Sequence, residues 1–255
     1  MGKTVHAITV AQRILRELRH TRRSLIFWVL FPSLMLLLFG LIYAGEGSTA
    51  ESFDYTAPSI LIGAALFFSC LGGPITTIVA ERERHTLKRL LLSPLSGTAY
   101  FFGILLAFLV VAAGQTVIVY GIAYAFGGRF EGSVLLGLAI IVLSVSAYVG
   151  MGFYFGSRFA RRTEEVNGPV AAIGVPLLVL GGTFFEPETL PPYLLKIAYL
   201  DPILHMNEAL DGVSAEGLGA GAIADHLVVL VLCAGVALVA GVHSYRRMLD
   251  RERVL

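Results

Sequence analysis

Glu81, Arg82, Glu83 and Arg84 alternate in sign at consecutive positions, and Lys88 and Arg89 follow within two helical turns. Such a set makes and breaks no bonds. It has no nucleophile beside a base, and its charges are those of a docking face. Leu87, Leu90 and Leu91 lie among them at spacings of three and four, so a helix gathers them on one side. Thr86 falls inside the same turn structure, and Pro94 and Gly97 end it. The stretch 81–98 is therefore expected to form a short amphipathic helix between two long apolar runs. Such a helix rests on a lipid surface or presents its polar face to a soluble partner.

The other chemistry-bearing residues are sparse. His205 and Glu208 share a helical face, but two ligands without a third do not make a metal site. Cys70 and Cys233 each sit within apolar runs, as small buried hydrophobes do. Glu164 and Glu165 beside Arg161 and Arg162 read as a solvated face with local ion pairs. Gly2-Lys3-Thr4 lacks the upstream glycine and strand of a phosphate-binding loop. With no HExxH, no nucleophile elbow and no Walker A pattern, the chain is expected to be no enzyme and to carry no cofactor or metal.

The elements that must position these residues are helices in a membrane. The 255-residue chain is 56% hydrophobic and 15% charged, against about 25% charged in soluble domains. Its apolar residues cluster into runs at 25–43, 56–80, 99–126, 134–157, 166–185 and 224–245. A span needs about 20 residues, so an all-α protein with six transmembrane helices, residues 25–246, is expected. Pro32 and the Gly72-Gly73-Pro74 step are expected to kink the first two spans. Residues 1–24 precede them. There Val5, Ile8, Ala11, Leu15 and Leu18 recur at helical spacing beside Arg13, Arg16 and Arg19, as in an amphipathic helix lying in the interface. Residues 247–255 form a tail.

Orientation follows from the bases. Of 19 Lys and Arg, only Arg129 and Lys196 fall in the loops on one side. The positive-inside rule puts both termini and the 81–98 stretch in the cytoplasm. The loop 186–224 is then external. Its Leu190–Leu200 portion is apolar but too short to span, as in a re-entrant segment, and Asp201-Pro202 closes it.

Gln115, Tyr120, Tyr124, Ser144, Ser146 and Tyr148 are polar groups inside spans. They serve as interhelical hydrogen bonds or line a substrate path. Gly152 and Gly156 form a small-xxx-small packing pair. No Asp, Glu, Lys or Arg lies in the first five runs or in 227–242. A carrier coupled to protons or ions keeps such groups at membrane depth, so energy for transport is expected from outside the chain. A stand-alone channel or carrier is the alternative.

At this point the chain resembles the permease subunits of type 2 ABC exporters over nearly its whole length. Glu81-Arg82-Glu83-Arg84-His85-Thr86-Leu87-Lys88-Arg89-Leu90-Leu91-Leu92-Ser93-Pro94-Leu95 is similar to that family's cytoplasmic E-R-E-x-G-T-L segment, with His85 in place of the Gly. Gly181-Gly182-Thr183-Phe184-Phe185-Glu186 and Leu190-Pro191-Pro192-Tyr193-Leu194 resemble its external re-entrant segment, with Glu186 where an apolar residue is common. The stretch from Asp201-Pro202 to Leu210 resembles its following helix.

The resemblance implies a multi-pass cell-membrane permease that pairs with a second permease copy and with separate ABC ATPase subunits. ATP and magnesium are held on the ATPase, and no nucleic acid is involved. It implies that Glu81, Arg82, Glu83, Arg84, Thr86, Leu87, Lys88, Leu90, Leu91 and Pro94 couple to the ATPase. Gly182, Phe185, Glu186, Leu190, Pro191 and Pro202 would form the external re-entrant segment. Aromatic and small polar linings without fixed charge suit a drug-like or lipid-like substrate. Both Glu81 and Glu83 sit in a polar segment, so reversing their charges is expected to uncouple transport at little expense to folding.

Overall fold

A computed structural model describes residues 3–45, 47–84, 96–159 and 162–254. Among the described residues the regular structure is helical throughout. Five helices among the described residues are long and apolar enough to cross a membrane.

Helix α1, Lys3–His20, precedes them. It buries Val10, Ala11 and Ile14 and leaves Val5 and Ile8 exposed. The face that meets protein is thus offset from the stripe expected from spacing, because α1 packs along a neighbouring span. Helix α2, Arg22–Ala44, is the first candidate span and contains Pro32. Its outward residues Ile26, Leu30, Leu34, Leu38 and Leu41 are exposed apolar groups. An apolar exterior of this kind suits lipid as the surrounding medium.

Helix α3 runs unbroken through Thr49–Glu83, well past the expected run 56–80. Its middle, Ile60–Leu71, is wound as a π-helix, and α-helical winding resumes at Gly72. Pro74 has no N–H to give to the carbonyl four residues back, and its ring crowds that carbonyl. A wider turn just before it relieves the clash, so the Gly72-Gly73-Pro74 step loosens the helix without breaking it. Nearly every side chain of the π segment is buried, which makes α3 the central post of the bundle.

Helices α4, Gly97–Ala125, and α5, Val134–Arg158, form a hairpin against that post. Ser96 and Ser133 cap them through side-chain oxygens that accept the Ala99 and Leu136 N–H groups. Helix α6, Glu164–Leu180, takes up the first part of the fifth expected run and has only 17 residues and two internal prolines. It stops at Gly181 and Gly182, whose φ of +75° suits a residue without a Cβ. A 3-10 turn at Pro187–Thr189 and two short helices follow, α7 at Pro192–Ala198 and α8 at Pro202–Ser214. Helix α9, Ala224–Val254, has 31 residues. At 1.5 Å per residue it is about 46 Å long, more than the about 30 Å hydrocarbon core.

Small residues set the helix spacing. A Cβ on Gly152 would stand 2.7 Å from the Leu71 carbonyl oxygen, and one on Gly156 3.0 Å from the Ile75 Cα. This pair lets α5 lie directly on the loosened part of α3. A second pair, Gly150 and Gly241, brings α5 against α9 just as closely.

Candidate functional site

The four charged residues that end α3 form a hub. Glu81 is 7% exposed. One of its oxygens pairs with the Arg13 guanidinium of α1, and the other accepts the Tyr100 O–H of α4. The Tyr100 ring stacks on Tyr245 of α9, with centroids 5.2 Å apart, and meets Phe153 of α5 edge-on. Arg82 donates to the Gly156 and Ser157 carbonyls at 3.3 and 3.1 Å. These belong to the last turn of α5, where carbonyls lack intrahelical partners and a cation is favoured. Glu83 accepts the O–H and N–H of Thr163, at 2.7 and 3.3 Å, just ahead of α6. Arg84 pairs at 3.1 Å with Glu17 of α1, both side chains being exposed. Four successive residues thus tie α3 to α1, α4, α5 and the start of α6.

This arrangement corrects one expectation. Glu81 does not lie on a polar surface where its charge can be reversed cheaply, because it neutralises a partly buried arginine inside the bundle. Glu83 and Arg84 are the exposed members of the set. Thr86, Leu87, Lys88, Leu90, Leu91 and Pro94 lie outside the described residues. Spacing alone missed Arg13, Tyr100, Tyr245 and Thr163. Each lies far along the chain from its partner, and no local pattern links them.

The polar residues inside the spans separate into two groups. Gln115 is 4% exposed. Its Nε2 donates to the Trp28 and Ala65 carbonyls, and its Oε1 accepts the Ser69 O–H at 2.8 Å. It fastens α2, α3 and α4 together. Ser144 bonds back to the Ile140 carbonyl of its own helix, and Tyr148 packs edge-on against Phe67 with no exposure. These three are internal packing elements. Tyr120 and Tyr124 instead line an open cleft between α4 and α5.

At the opposite end, Phe184 stacks on Phe39 with centroids 5.5 Å apart, while Phe185 meets it edge-on. The Tyr43 O–H donates to the Phe184 carbonyl at 3.0 Å, fastening this turn to α2. Asn207 of α8 donates to the Gly181 carbonyl at 2.6 Å. Gly63 admits Thr183, which would clash with any Cβ there. Gly182 and Pro187 are buried in this knot, while Phe185, Glu186 and Pro191 are exposed and Leu190 and Pro202 half-buried. Asp201 caps α8 through the Ile203 N–H at 2.9 Å. His205 does not form a ligand pair with Glu208. Its Nδ1 lies 3.0 Å from Nδ1 of His226 on α9, and its Nε2 faces the Tyr199 carbonyl. Among the described residues, no three His, Cys, Asp or Glu side chains are placed to hold a metal ion.

Burial pushes the Asp211 carboxyl up to about 7, with Glu216 and Glu208 adding to it, and its Oδ1 has no hydrogen-bond partner. The folded state therefore holds a proton here that the unfolded chain loses near pH 4. That advantage is complete below pH 4 and is gone once the pH passes about 7. Asp211→Asn is expected to melt with wild type at pH 4 and above it at pH 8. Melting temperatures of the purified chain at the two pH values check this.

The comparison with known proteins bears on this geometry directly. A family model described as ABC-2 type transporter matches residues 6–213, the reach from α1 to the end of α8. The chain belongs to the ABC-2 type transporter family. The daunorubicin resistance ABC transporter permease protein DrrB1 of Streptomyces coeruleorubidus is 28% identical to it over 239 residues, which are 91% of this chain and 81% of that relative. The probable multidrug ABC transporter permease YbhR of Escherichia coli K12 is 30% identical over 133 residues, 52% of this chain. That match spans only 36% of the YbhR length. This ABC-2 chain is thus a multi-pass membrane protein. In it the end of α3 is a structural junction, at which Glu83 and Arg84 are exposed.

Proposed function

We propose that this permease is the translocating subunit of an ATP-driven exporter of drug-like or lipid-like compounds. It works as a pair of permease copies with two separate ABC ATPase subunits, which hold the ATP and magnesium. The observation that carries this is the charged hub at the end of α3. A push on the 81–98 segment reaches α1 through Glu81 and Arg84, α4 through Glu81, α5 through Arg82 and α6 through Glu83. The exposed Glu83 and Arg84, with the residues beyond them, supply the contact, and Glu81 transmits the stroke. The names of the two relatives support drugs as the cargo.

In this reading both termini are cytoplasmic, α1 lies in the inner interface, and α6 with the turn after it completes a sixth crossing. The segment from Glu186 to α9 faces outward as a re-entrant knot. A single cysteine introduced into a Cys70→Ala, Cys233→Ala background tests the topology. The probe belongs at Ala220, which is exposed. A membrane-impermeant thiol reagent is expected to label Ala220→Cys in intact cells and to leave His20→Cys unlabelled until the cells are opened. The reverse pattern removes the assignment. For the function, the tagged permease is expected to co-purify with its ATPase and to raise ATP hydrolysis when daunorubicin is added. Glu83→Lys with Arg84→Glu is expected to weaken that capture about tenfold while leaving the melting temperature unchanged. Capture at wild-type level shows that this segment does not meet the ATPase.

A further inference from the structure

The cleft between α4 and α5 has a volume of about 300 Å³. Val117, Tyr124 and Leu138 on its walls are largely exposed. Tyr120 and Phe130 meet edge-on at its back, with centroids 5.5 Å apart. Two charged residues, Asp54 of α3 and Arg129, lie among these largely apolar walls. One Asp54 oxygen accepts the Arg129 main-chain N–H at 2.6 Å. Among the described residues the other accepts no hydrogen bond. The charged neighbours acting on Asp54 are Glu51 and Glu131, which are acids, and Arg129, which is a base. With Asp54 itself, three acids stand against one base around this carboxylate, so the Asp54 side of the cleft favours a positive charge.

Aromatic rings present negative faces to a cation, and flat apolar walls take a flat ligand with little rotamer loss. A lipid chain would fill the apolar part, but its phosphate would meet Asp54, Glu51 and Glu131. We propose that this cleft is a binding site for planar aromatic cations, loading or releasing them at the outer leaflet, separate from any path between two permease copies. The assignment of cargo rests on the exporter reading. The binding itself does not, since it needs neither ATP nor the ATPase.

The test therefore uses the full-length permease alone, in phosphatidylcholine nanodiscs. Ethidium is the probe because its charge is fixed, and pyrene is the neutral planar comparator. Saturable ethidium binding is expected. Asp54→Asn keeps the side-chain shape and the acceptor for Arg129, and is expected to weaken ethidium about tenfold, the factor set by about 1.4 kcal/mol, with pyrene unchanged. Val117→Trp, on an exposed wall where folding is not at stake, is expected to weaken both probes by a similar factor. If Asp54→Asn fails to fold, tighter binding of ethidium than of pyrene by the wild type decides the charge preference, and Val117→Trp decides the location. Wild-type ethidium affinity in the folded variants, equal loss of both probes in Asp54→Asn, or absence of saturable binding overturns the proposal. Failure of ATPase capture with ethidium binding intact would remove the exporter reading and leave this site standing.

Discussion

Glu81→Lys is expected to yield little folded protein, whereas Glu83→Lys is expected to be recovered at close to wild-type yield. The two residues are two positions apart and identical in type, so sequence treats them alike. The structure separates them. Glu81 is 7% exposed and accepts from both Arg13 and Tyr100. Removing one member of a fully buried pair typically costs about 3–5 kcal/mol, because the other charge is left without its counterion, and the figure here is smaller because the Arg13 side chain is 40% exposed. A lysine there adds a second cation beside Arg13 and leaves the Tyr100 hydroxyl without its acceptor. Glu83 lies at the surface, where its partner Thr163 can turn to water. Glu81→Gln is expected to fall between them, since it keeps an acceptor for Tyr100 and loses only the charge. Yield and melting temperature in detergent read all three. A Glu81→Lys protein that melts with wild type would show that the hub does not hold the bundle.

A Gly150→Val substitution is expected to be the most damaging change at any glycine in α5. A Cβ at this position would stand 2.5 Å from the Ala237 carbonyl carbon, which is backbone of α9 and cannot swing aside. The matching contact is Gly241, whose Cβ would stand 2.5 Å from the Gly150 carbonyl oxygen. Overpacking typically costs about 1–3 kcal/mol, and a valine that must move a whole helix belongs at or above the top of that range. The effect is directional. Helix α9 displaced at Gly150 also draws Tyr245 away from Tyr100, so the hub loosens with it. Gly235 on α9 is the control, because nothing lies within 4 Å of a Cβ added there. Gly235→Ala is expected to be neutral or mildly stabilising, by up to about 1 kcal/mol of helix propensity. Equal melting temperatures for Gly150→Val and Gly235→Ala would mean that the α5–α9 crossing is not tight.

The two glycine pairs show where sequence reading ends. Gly152 and Gly156 are four apart on one helix, so their shared face was legible as a packing surface. Gly150 and Gly241 belong to different helices and acquire meaning only when α5 and α9 meet. The same division holds for the polar residues of the spans. Gln115, Ser144, Tyr120, Tyr124 and Tyr148 look alike as polar interruptions of apolar runs. Which of them join helices and which line a cleft depends on rotation about each helix axis, set by neighbours far away in the chain.

What the amino-acid order determines by itself is what the bilayer forces on any chain. Long runs without charge must span, and they must be helical, because each unpaired backbone group in lipid costs several kcal/mol. Local spacing likewise marks the Pro and Gly breaks and the charged 81–98 stretch. The fifth run shows the limit: it is apolar for 20 residues, yet its helix ends at Leu180, where Gly182 turns and Thr183 packs onto Gly63. Tertiary structure alone decided that Glu81 faces inward. In an isolated helix, Glu81 and Glu83 would each be hydrated. Only the arrival of Arg13 from α1 and Tyr100 from α4 supplies, at one of them, the counter-charge and the donor that let a carboxylate leave water.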